Sequence, residues 1–344
     1  MKKVFQVLLL TFVVFNLASC EFIAERTMKN ALEEQQEQEQ ILSDGKMHVI
    51  LVGTGGPLSN TERISTSTAV VAGGEFILVD VGPGVVRNIN LQGLPINRIS
   101  GLFLTHFHSD HISDLGELAF MSWAQGRTRK LDVYGPEGVE QVVEGYNLAY
   151  KLDSSYRTAH HGEDVMPSAA AGAVARTITV NNPDRAELFF DRNGLKAYVF
   201  MVDHSPVKPA VGYRFEYKGN VVVITGDTRK TPGLAGHAKN ADLLLADALC
   251  ARLINTFSKI AGENNRPRLS KIMADITDYH MTPVQAAEVA REAGVKKLVL
   301  VHVVPPILNF FAKRMYMDGV SDAFEGDIEL GKDGMTFDFD PKSI

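Results

Sequence analysis

From Met47 onward the chain alternates short apolar runs with turn residues, a pattern typical of β-strands. The first three runs are residues 49–52, 68–71 and 76–79, and Gly73-Gly74 between the last two is typical of a hairpin turn. Further runs predict strands at residues 101–105, 131–134, 197–202, 211–217, 221–225, 243–246 and 298–301. The pattern therefore predicts a β-rich domain that begins near Met47.

Helical periodicity falls between these strands, at residues 114–123, 139–150 and 283–293. Thr282 precedes the last of these helices and Gln285 lies in its first turn, which is the spacing of a capping box, and Gly294 follows the helix. Hairpins come first and strand–helix alternation comes later, which favours an α/β sandwich.

The first residues have the composition of an export signal. Lys2 and Lys3 precede an apolar stretch at residues 4–18, which is too short to span a membrane. The sequence Leu17-Ala18-Ser19-Cys20 resembles a bacterial lipobox, in which the cysteine is acylated and the chain is cleaved just before it. An ordinary cleaved signal peptide with an incidental Cys20 is the alternative. Both predict export, and the lipobox predicts a periplasmic or cell-envelope lipoprotein anchored to the membrane through Cys20.

Three segments follow from this composition. Residues 1–19 are predicted to be a lipoprotein signal peptide, and residues 20–46, rich in Glu and Gln, a polar tether. Residues 47–344 form the predicted folded domain. Cys250 is then the remaining cysteine of the mature chain; it is expected to be a buried thiol, with a metal-bound thiolate as the alternative.

The overall charge limits the partners. The chain of 344 residues has a net charge of −6 and a pI of about 5.9, so it offers no overall basic field for nucleic acid. Nucleic acid is therefore disfavoured as a partner. An anionic substrate would have to be attracted by a local positive charge, such as a metal ion or an arginine. The sequence leaves the oligomeric state open, including a homo-oligomer.

One short segment carries metal-binding chemistry. His106, His108, Asp110 and His111 follow the predicted strand at residues 101–105. Imidazole and carboxylate groups are preferred zinc ligands. In an extended loop, His106 and His108 would project from one side while Asp110 and His111 turn toward a second ion. The segment therefore predicts two metal ions side by side.

This segment has the form HxHxDH and resembles the signature of the metallo-β-lactamase superfamily. The resemblance extends over nearly all of residues 47–344. The loops at residues 53–57 and 80–84 resemble those of its ribonuclease Z-like branch, and matching segments follow at residues 203–206, 212–214 and 224–228, His280 and His302. The resemblance implies a metallo-β-lactamase-type αββα sandwich, with two mixed β-sheets flanked by helices.

The resemblance also implies a set of metal ligands. His106, His108 and His204 are expected on one metal, Asp110, His111 and His302 on the other, and Asp227 between them. The implied cofactor is two Zn²⁺ ions, with Mn²⁺ or Fe as alternatives. Two cations with a bridging carboxylate would lower the pKa of a shared water from about 15.7 toward neutrality and so supply a bridging hydroxide.

Two residues are assigned catalytic roles by the same resemblance. Asp110 is expected to accept a proton from the attacking water. His280 lies just ahead of the capping box, near a helix N-terminus, and is expected to act as general acid or oxyanion donor. Asp80 is expected to orient a ligand histidine, as metal-bound imidazoles usually require.

Several other residues keep two interpretations at this point. Isolated histidines are most simply structural or surface residues, namely His48, His160, His161 and His237, although the pair His160-His161 could line the mouth of the site. Asp203 and Asp247 could orient histidines or merely end strands. Tyr213-Arg214, Trp123 and Phe310-Phe311 could face the substrate or pack in the fold.

The function predicted from the sequence is a metal-dependent hydrolase of a small anionic ester, either an aryl sulfate or a phosphodiester. Residues 300–306 resemble exported arylsulfatase-type enzymes of this branch, and no Gly/Pro-rich arm of the kind that grips transfer RNA occurs between Tyr134 and His204. A ribonuclease Z-like phosphodiesterase or endonuclease is the alternative, and a lactone or β-lactam hydrolase is another. A metal-stabilised binding protein of the envelope is the non-enzymatic alternative.

Overall fold

The computed structural model describes residues 22–30 and 39–343. The predicted signal peptide, Cys20 and part of the predicted tether lie outside the described residues, so these assignments stay predictions. Residues 22–30 form helix α1, and the first strand begins at Met47. None of the helices within the described ranges combines the length and apolarity that a membrane crossing requires.

Fourteen strands form two sheets of seven within the described residues. The strands are β1 (Met47–Gly53), β2 (Ser67–Ala72), β3 (Glu75–Val79), β4 (Gly101–Phe103), β5 (Leu131–Gly135), β6 (Ala173–Thr177), β7 (Glu187–Arg192), β8 (Leu195–Met201), β9 (Val211–Tyr217), β10 (Asn220–Ile224), β11 (Leu243–Leu249), β12 (Lys297–Val304), β13 (Asp327–Leu330) and β14 (Thr336–Phe339). The first sheet has the order β14-β1-β2-β3-β4-β5-β6, and the second has the order β13-β12-β11-β10-β9-β8-β7.

Both sheets are mixed. In the first sheet β1, β2 and β3 pair antiparallel, and the pairs from β3 to β6 are parallel. In the second sheet β7 to β10 pair antiparallel, and the pairs from β10 to β13 are parallel. Parallel neighbours end at the same edge of a sheet, so loops after β10 and β11 and the end of β12 are brought together.

The other regular elements that position the site and the core are α-helices. They are α2 (Val85–Leu91), α3 (Ser109–Ile112), α4 (Leu115–Ala124), α5 (Val139–His161), α6 (Leu234–His237), α7 (Ala251–Glu263), α8 (Pro267–Asp275), α9 (Pro283–Ala293), α10 (Phe310–Met317) and α11 (Val320–Ala323). The predicted capping box is present at α9, where the Thr282 side chain accepts from Gln285 N and the Gln285 side chain accepts from Thr282 N.

Apolar side chains fill three layers. Between the sheets, Phe103 is fully buried and stacks on Phe215 with ring centroids 6.0 Å apart. Buried side chains of α2, α4 and α5 cover the outer face of the first sheet. Those of α9, α10 and α11 cover the second. Each fully buried aliphatic or aromatic side chain contributes roughly 1.5–3 kcal/mol. The architecture is the predicted αββα sandwich, and that prediction is confirmed.

The unpredicted strands share one position in the fold. β6, β7, β13 and β14 are the four edge strands of the two sheets. Among the described residues each has a strand neighbour on one side only. β6, β7 and β13 mix buried, half-buried and exposed positions, and β14 alternates exposed and half-buried ones. β6 and β7 show neither a continuous apolar run nor a regular alternation, and the alternation in β13 and β14 extends over only four residues each.

Helix predictions were incomplete for a similar reason. Helices α7 and α8 were not predicted, and each buries only one or two of its side chains completely. Helix α5 continues eleven residues beyond the predicted end at residue 150, to His161. His160 and His161 are exposed in its last turn, which agrees with the interpretation as surface residues.

Candidate metal centre

The predicted metal ligands meet at one edge of the sandwich. His106 and His108 follow β4, His204 follows β8, and Asp227 follows β10, whereas His302 lies within β12 itself. Asp110 and His111 lie on the four-residue helix α3, so the expected extended loop is wrong for these two residues. The short helix begins after His108, whose backbone is extended, and it places the His111 ring against the His106 ring, with centroids 4.1 Å apart.

The first donor set consists of His106, His108, His204 and Asp227. One ligand atom from each residue lies within 4.8 Å of the others. His108 Nδ1 is 3.0 Å from His106 Nε2 and 3.4 Å from His204 Nε2. Three imidazole nitrogens and a carboxylate oxygen therefore converge with the spacing that one coordinated cation would require.

The second donor set consists of Asp110, His111 and His302. His302 Nε2 lies 3.2 Å from Asp110 Oδ2 and also 3.2 Å from Asp227 Oδ2. Asp227 Oδ2 is 3.3 Å from His111 Nε2 as well. The Asp227 carboxylate thus lies between the two donor sets, where the sequence resemblance expected a bridging ligand.

Burial keeps several of these imidazoles neutral. Burial, together with the neighbouring His111, holds the pKa of His106 well below its ordinary value of 6.5. Burial lowers the pKa of His204 to about 4, against the opposing charge of Asp227. Neutral imidazole is the form that binds a metal ion.

The carboxylates produce the opposite effect at His111. Burial alone would lower the pKa of this histidine, but Asp227, Asp80 and Asp110 raise it well above 6.5. Three carboxylates around one buried ring make a negative environment that favours any cation. His111 Nε2 and His302 Nδ1 are buried and have no hydrogen-bond partner within the described residues. Of these two atoms, His111 Nε2 lies 3.3 Å from Asp227 Oδ2, and a buried ring nitrogen without a hydrogen bond beside a carboxylate fits a site for divalent cations.

Two of the predicted ligand histidines are oriented by partners that the structure identifies. His111 Nδ1 donates to Asp80 Oδ2 at 2.8 Å, and Asp80 Oδ1 accepts from Thr105 N at 2.8 Å. Asp80 therefore orients a predicted ligand histidine, as expected. His204 Nδ1 donates to the Tyr279 carbonyl at 3.0 Å. Asp203 does not orient His204, because its carboxylate accepts from Ser205 instead.

His280 lies beside the cluster with its own carboxylate partner. Its Nδ1 atom is 2.7 Å from Asp247 Oδ2, and burial lowers the pKa of His280 to about 4. Asp247 is buried inside the apolar strand β11 and does not end it, so the structure decides between its two interpretations in favour of orienting a histidine. A lone acidic residue inside the run Leu243–Leu249 was the sequence signal for this role.

The other candidate residues lie outside the cluster. His48 pairs with Asp44 and Asp338, and the His237 ring stacks on Phe200. Trp123 is buried and donates to the Pro167 carbonyl. The structure also places the remaining candidates. Tyr213 is in the core, and Arg214 pairs with Glu216. Cys250 is a buried free thiol, and Phe310 and Phe311 are exposed.

Comparison with known proteins agrees with this arrangement. Residues 75–303 match the family described as Beta-lactamase superfamily domain. The protein named Ribonuclease Z from Mycolicibacterium gilvum is 35% identical over 264 residues, covering 76% of this chain and 85% of the relative. The Ribonuclease Z of Mycobacterium marinum is 33% identical over 290 residues, covering 83% of this chain and 96% of the relative.

Solved structures share the fold at lower identity. The short form of human tRNase Z superposes with a TM-score of 0.61 at 22% identity, covering 86% of this chain and 100% of that one. The metallo-beta-lactamase fold protein YhfI from Bacillus subtilis gives a TM-score of 0.61 at 21% identity, covering 85% and 99%. The chain therefore belongs to the metallo-β-lactamase superfamily of metal-dependent hydrolases, with proteins named ribonuclease Z among its homologues.

Proposed function

We propose that this protein is a metal-dependent phosphodiesterase with ribonuclease Z-like chemistry. The observation that carries the proposal is the position of Asp227, whose carboxylate lies between two donor sets that would each hold a divalent cation. Paired cations would supply Lewis acidity, which polarises a phosphodiester and lowers the pKa of an attacking water.

The clustered residues would bind the two cations and accept a proton from the attacking water. His106, His108 and His204 would hold one cation, Asp110, His111 and His302 the other, and Asp227 would contribute to both. Zinc is the metal that this donor set favours, with Mn²⁺ and Fe as alternatives. Asp110, 3.2 Å from His302, is also close enough to the cluster to accept a proton from water.

His280 would act on the substrate side. Asp247 accepts from Nδ1 of this ring, which leaves Nε2 as the atom available to the substrate. While the ring is neutral and Nδ1 donates to Asp247, Nε2 carries a lone pair and can accept a proton. Once protonated, Nε2 would donate to a leaving oxygen or to developing negative charge in the transition state.

A groove beside the donor cluster offers room for the organic part of an ester. It has a volume of about 740 Å³ and is lined by Ser205, Pro206, Arg229, Ile272, Asp275, Ile276, Asp278 and Tyr279. The Tyr279 ring lies edge-on to the ligand candidate His204 at 4.7 Å, so the groove adjoins the proposed reaction centre. Arg229 in this groove pairs with Asp203 at 3.4 Å, and Asp275 and Asp278 line the same groove. The attraction for an anionic ester would therefore come mainly from cations held by the two donor sets.

Phosphodiester cleavage replaces aryl sulfate cleavage as the preferred chemistry. Both esters have a tetrahedral anionic centre, and the donor geometry serves either. The preference for a phosphodiester comes from the homologues at 33–35% identity, which carry the name ribonuclease Z. Hydrolysis of an aryl sulfate, a lactone or a β-lactam is the competing activity. Metal binding without any hydrolysis would indicate a binding protein.

A second candidate function is endonucleolytic cleavage of RNA. It is supported by the extent of the match to relatives named ribonuclease Z, which reaches 85–96% of their length. Against it, residues 139–201, where the sequence lacks a Gly/Pro-rich arm, contain α5, β6, β7 and β8 in the structure. The net charge of −6 also disfavours a polyanion.

The test compares four substrates on the same purified protein after its metal content is measured. They are a bis-aryl phosphodiester, an aryl sulfate, a chromogenic cephalosporin and a precursor transfer RNA. We expect two metals per chain and chelator-sensitive cleavage of the phosphodiester at rates well above those of the sulfate and the cephalosporin. Preferred cleavage of the RNA would favour the endonuclease, whereas two bound metals with no turnover of any substrate would contradict the proposal.

We further propose that the protein is an exported lipoprotein anchored through Cys20. The support is the lipobox-like sequence Leu17-Ala18-Ser19-Cys20 and the apolar stretch before it. Metabolic labelling of the native host with a fatty-acid analogue should label the wild-type chain and the Cys250→Ser control, but not Cys20→Ala. Equal labelling of Cys20→Ala, or its absence from all three proteins, would contradict the anchor.

A further inference from the structure

An apolar tip projects from the fold after the last central strand. It consists of Leu308, Phe310 and Phe311, whose side chains are 84%, 71% and 76% exposed. We propose that this tip inserts into the surface of an anionic phospholipid membrane and docks the domain there. The proposal goes beyond the proposed hydrolase activity and does not rest on it.

The tip is held rigidly on the body of the protein. Phe310 and Phe311 occupy the first turn of α10, which the Asn309 side chain caps by accepting from Ala312 N at 2.9 Å. At the other end of α10, Tyr316 is buried and donates to the Ala248 carbonyl at 2.6 Å. The aromatic rings are therefore presented by a fixed helix end, and their exposure is a property of the folded domain.

Positive charge follows the aromatic pair directly. Lys313 and Arg314 are exposed on the next turn of α10 and form no ion pair within the described residues. The chain as a whole is acidic, with a net charge of −6, so this attraction is local to the tip. Exposed aromatic side chains beside unpaired basic residues match the surface of a lipid bilayer with anionic headgroups.

The size of the tip favours a membrane over a protein partner. Two phenylalanines and one leucine at this exposure offer roughly 400–500 Å² of contact, whereas a stable protein interface buries about 800 Å² on each partner. A bilayer accepts such a small protruding wedge because the apolar side chains enter its acyl boundary. The predicted tether at residues 20–46 would keep the domain within roughly 90 Å of the membrane even if it were fully extended, and helix α1 shortens this reach, so a weak contact would be sufficient.

Docking by this tip would also orient the metal centre. Leu308 follows His302 by six residues, and His302 lies near the end of β12. The edge of the sandwich that carries the donor cluster and the edge that carries the tip are thus joined by a short segment. A domain docked through Phe310 and Phe311 would present this edge near the lipid surface.

The experiment places a fluorescent reporter in the tip of the full-length chain. Phe311→Trp is compared with Leu152→Trp, which introduces the same reporter at an exposed apolar position on α5. The single native tryptophan, Trp123, is buried, and its emission is measured in the wild-type protein and subtracted. The probes are vesicles of phosphatidylethanolamine and phosphatidylglycerol with brominated acyl chains.

We expect the emission of Phe311→Trp to shift to shorter wavelength and to be quenched several-fold more than that of Leu152→Trp. Adding Lys313→Gln and Arg314→Gln to Phe311→Trp should reduce the quenching in these vesicles and leave it unchanged in vesicles of phosphatidylcholine alone. Equal quenching at the two reporter positions would overturn the proposal. So would a spectral shift that depends on protein concentration and not on vesicles, which would indicate self-association.

Discussion

The Nδ1 atom of His280 lies 2.7 Å from Oδ2 of Asp247, although thirty-three positions separate the two residues in the chain. Asp247 is near the end of β11, and His280 immediately precedes the two residues before α9. The carboxylate fixes the ring next to Asp227, whose Oδ2 is 4.0 Å from the same Nδ1 atom. His280 is therefore positioned beside the donor cluster without belonging to either of its two predicted ligand sets.

Asp247→Asn should lower kcat by about 10–100-fold, because the amide preserves the volume but removes the negative charge that stabilises the protonated His280 ring. Metal content, measured by elemental analysis, should stay at the wild-type value. The matched control is Asp242→Asn, a buried carboxylate just before the same strand that pairs with Lys296 and Lys342. A loss of metal from Asp247→Asn would show that this carboxylate acts as a ligand and not through His280.

His280→Ala should retain both metals and lose about 10²–10⁴-fold in rate, the usual contribution of a positioned proton donor. The loss should be smaller for a substrate whose leaving group has a low pKa, since that group needs less protonation. Steady-state kinetics with nitrophenyl and phenyl phosphodiesters measure the difference. His237→Ala is the control, because that ring stacks on Phe200 outside the cluster. Equal losses for both leaving groups would argue against proton donation.

Asp227→Ala should lose at least one metal and nearly all turnover. Its Oδ2 atom is within 3.3 Å of both His111 Nε2 and His302 Nε2, so its removal leaves the two donor sets without a common ligand. Elemental analysis and phosphodiester kinetics are compared with those of Asp191→Ala, an exposed carboxylate on β7. Unchanged metal content and activity in Asp227→Ala would remove the basis of the proposed site.

Gly82→Ala should disturb the candidate metal centre by displacing α3, which carries Asp110 and His111. A Cβ atom at Gly82 would lie 1.9 Å from the Asp110 carbonyl and 2.6 Å from Ser65 Cβ, so α3 must move. We expect a destabilisation of about 1–3 kcal/mol and weaker metal binding, measured by thermal unfolding and by competition with a chelator. Gly145→Ala on α5 is the control, since nothing lies within 4 Å of its added methyl group. That substitution should stabilise the fold by up to about 1 kcal/mol. Wild-type metal affinity in Gly82→Ala would contradict this account of α3.

The sequence determined the central strands and the identity of the donor residues. β11 and β12 are buried at nearly every position, so their continuous apolar runs mark them as strands without knowledge of their neighbours. Thr282, Gln285 and Gly294 mark the ends of α9 through contacts within a few residues. The close spacing of His106, His108, Asp110 and His111 likewise carries its metal-binding chemistry locally.

Only the tertiary structure decided relationships between distant segments. The edge strands β6, β7, β13 and β14 depend on neighbours far along the chain, and their partial burial leaves a weak pattern in the sequence. The partner of His204 is the Tyr279 carbonyl, a backbone group that no side-chain motif can reveal. The pairing of Asp247 with His280 required β11 and the start of α9 to be placed side by side, because a hydrogen bond depends on distance in space and not on separation in sequence.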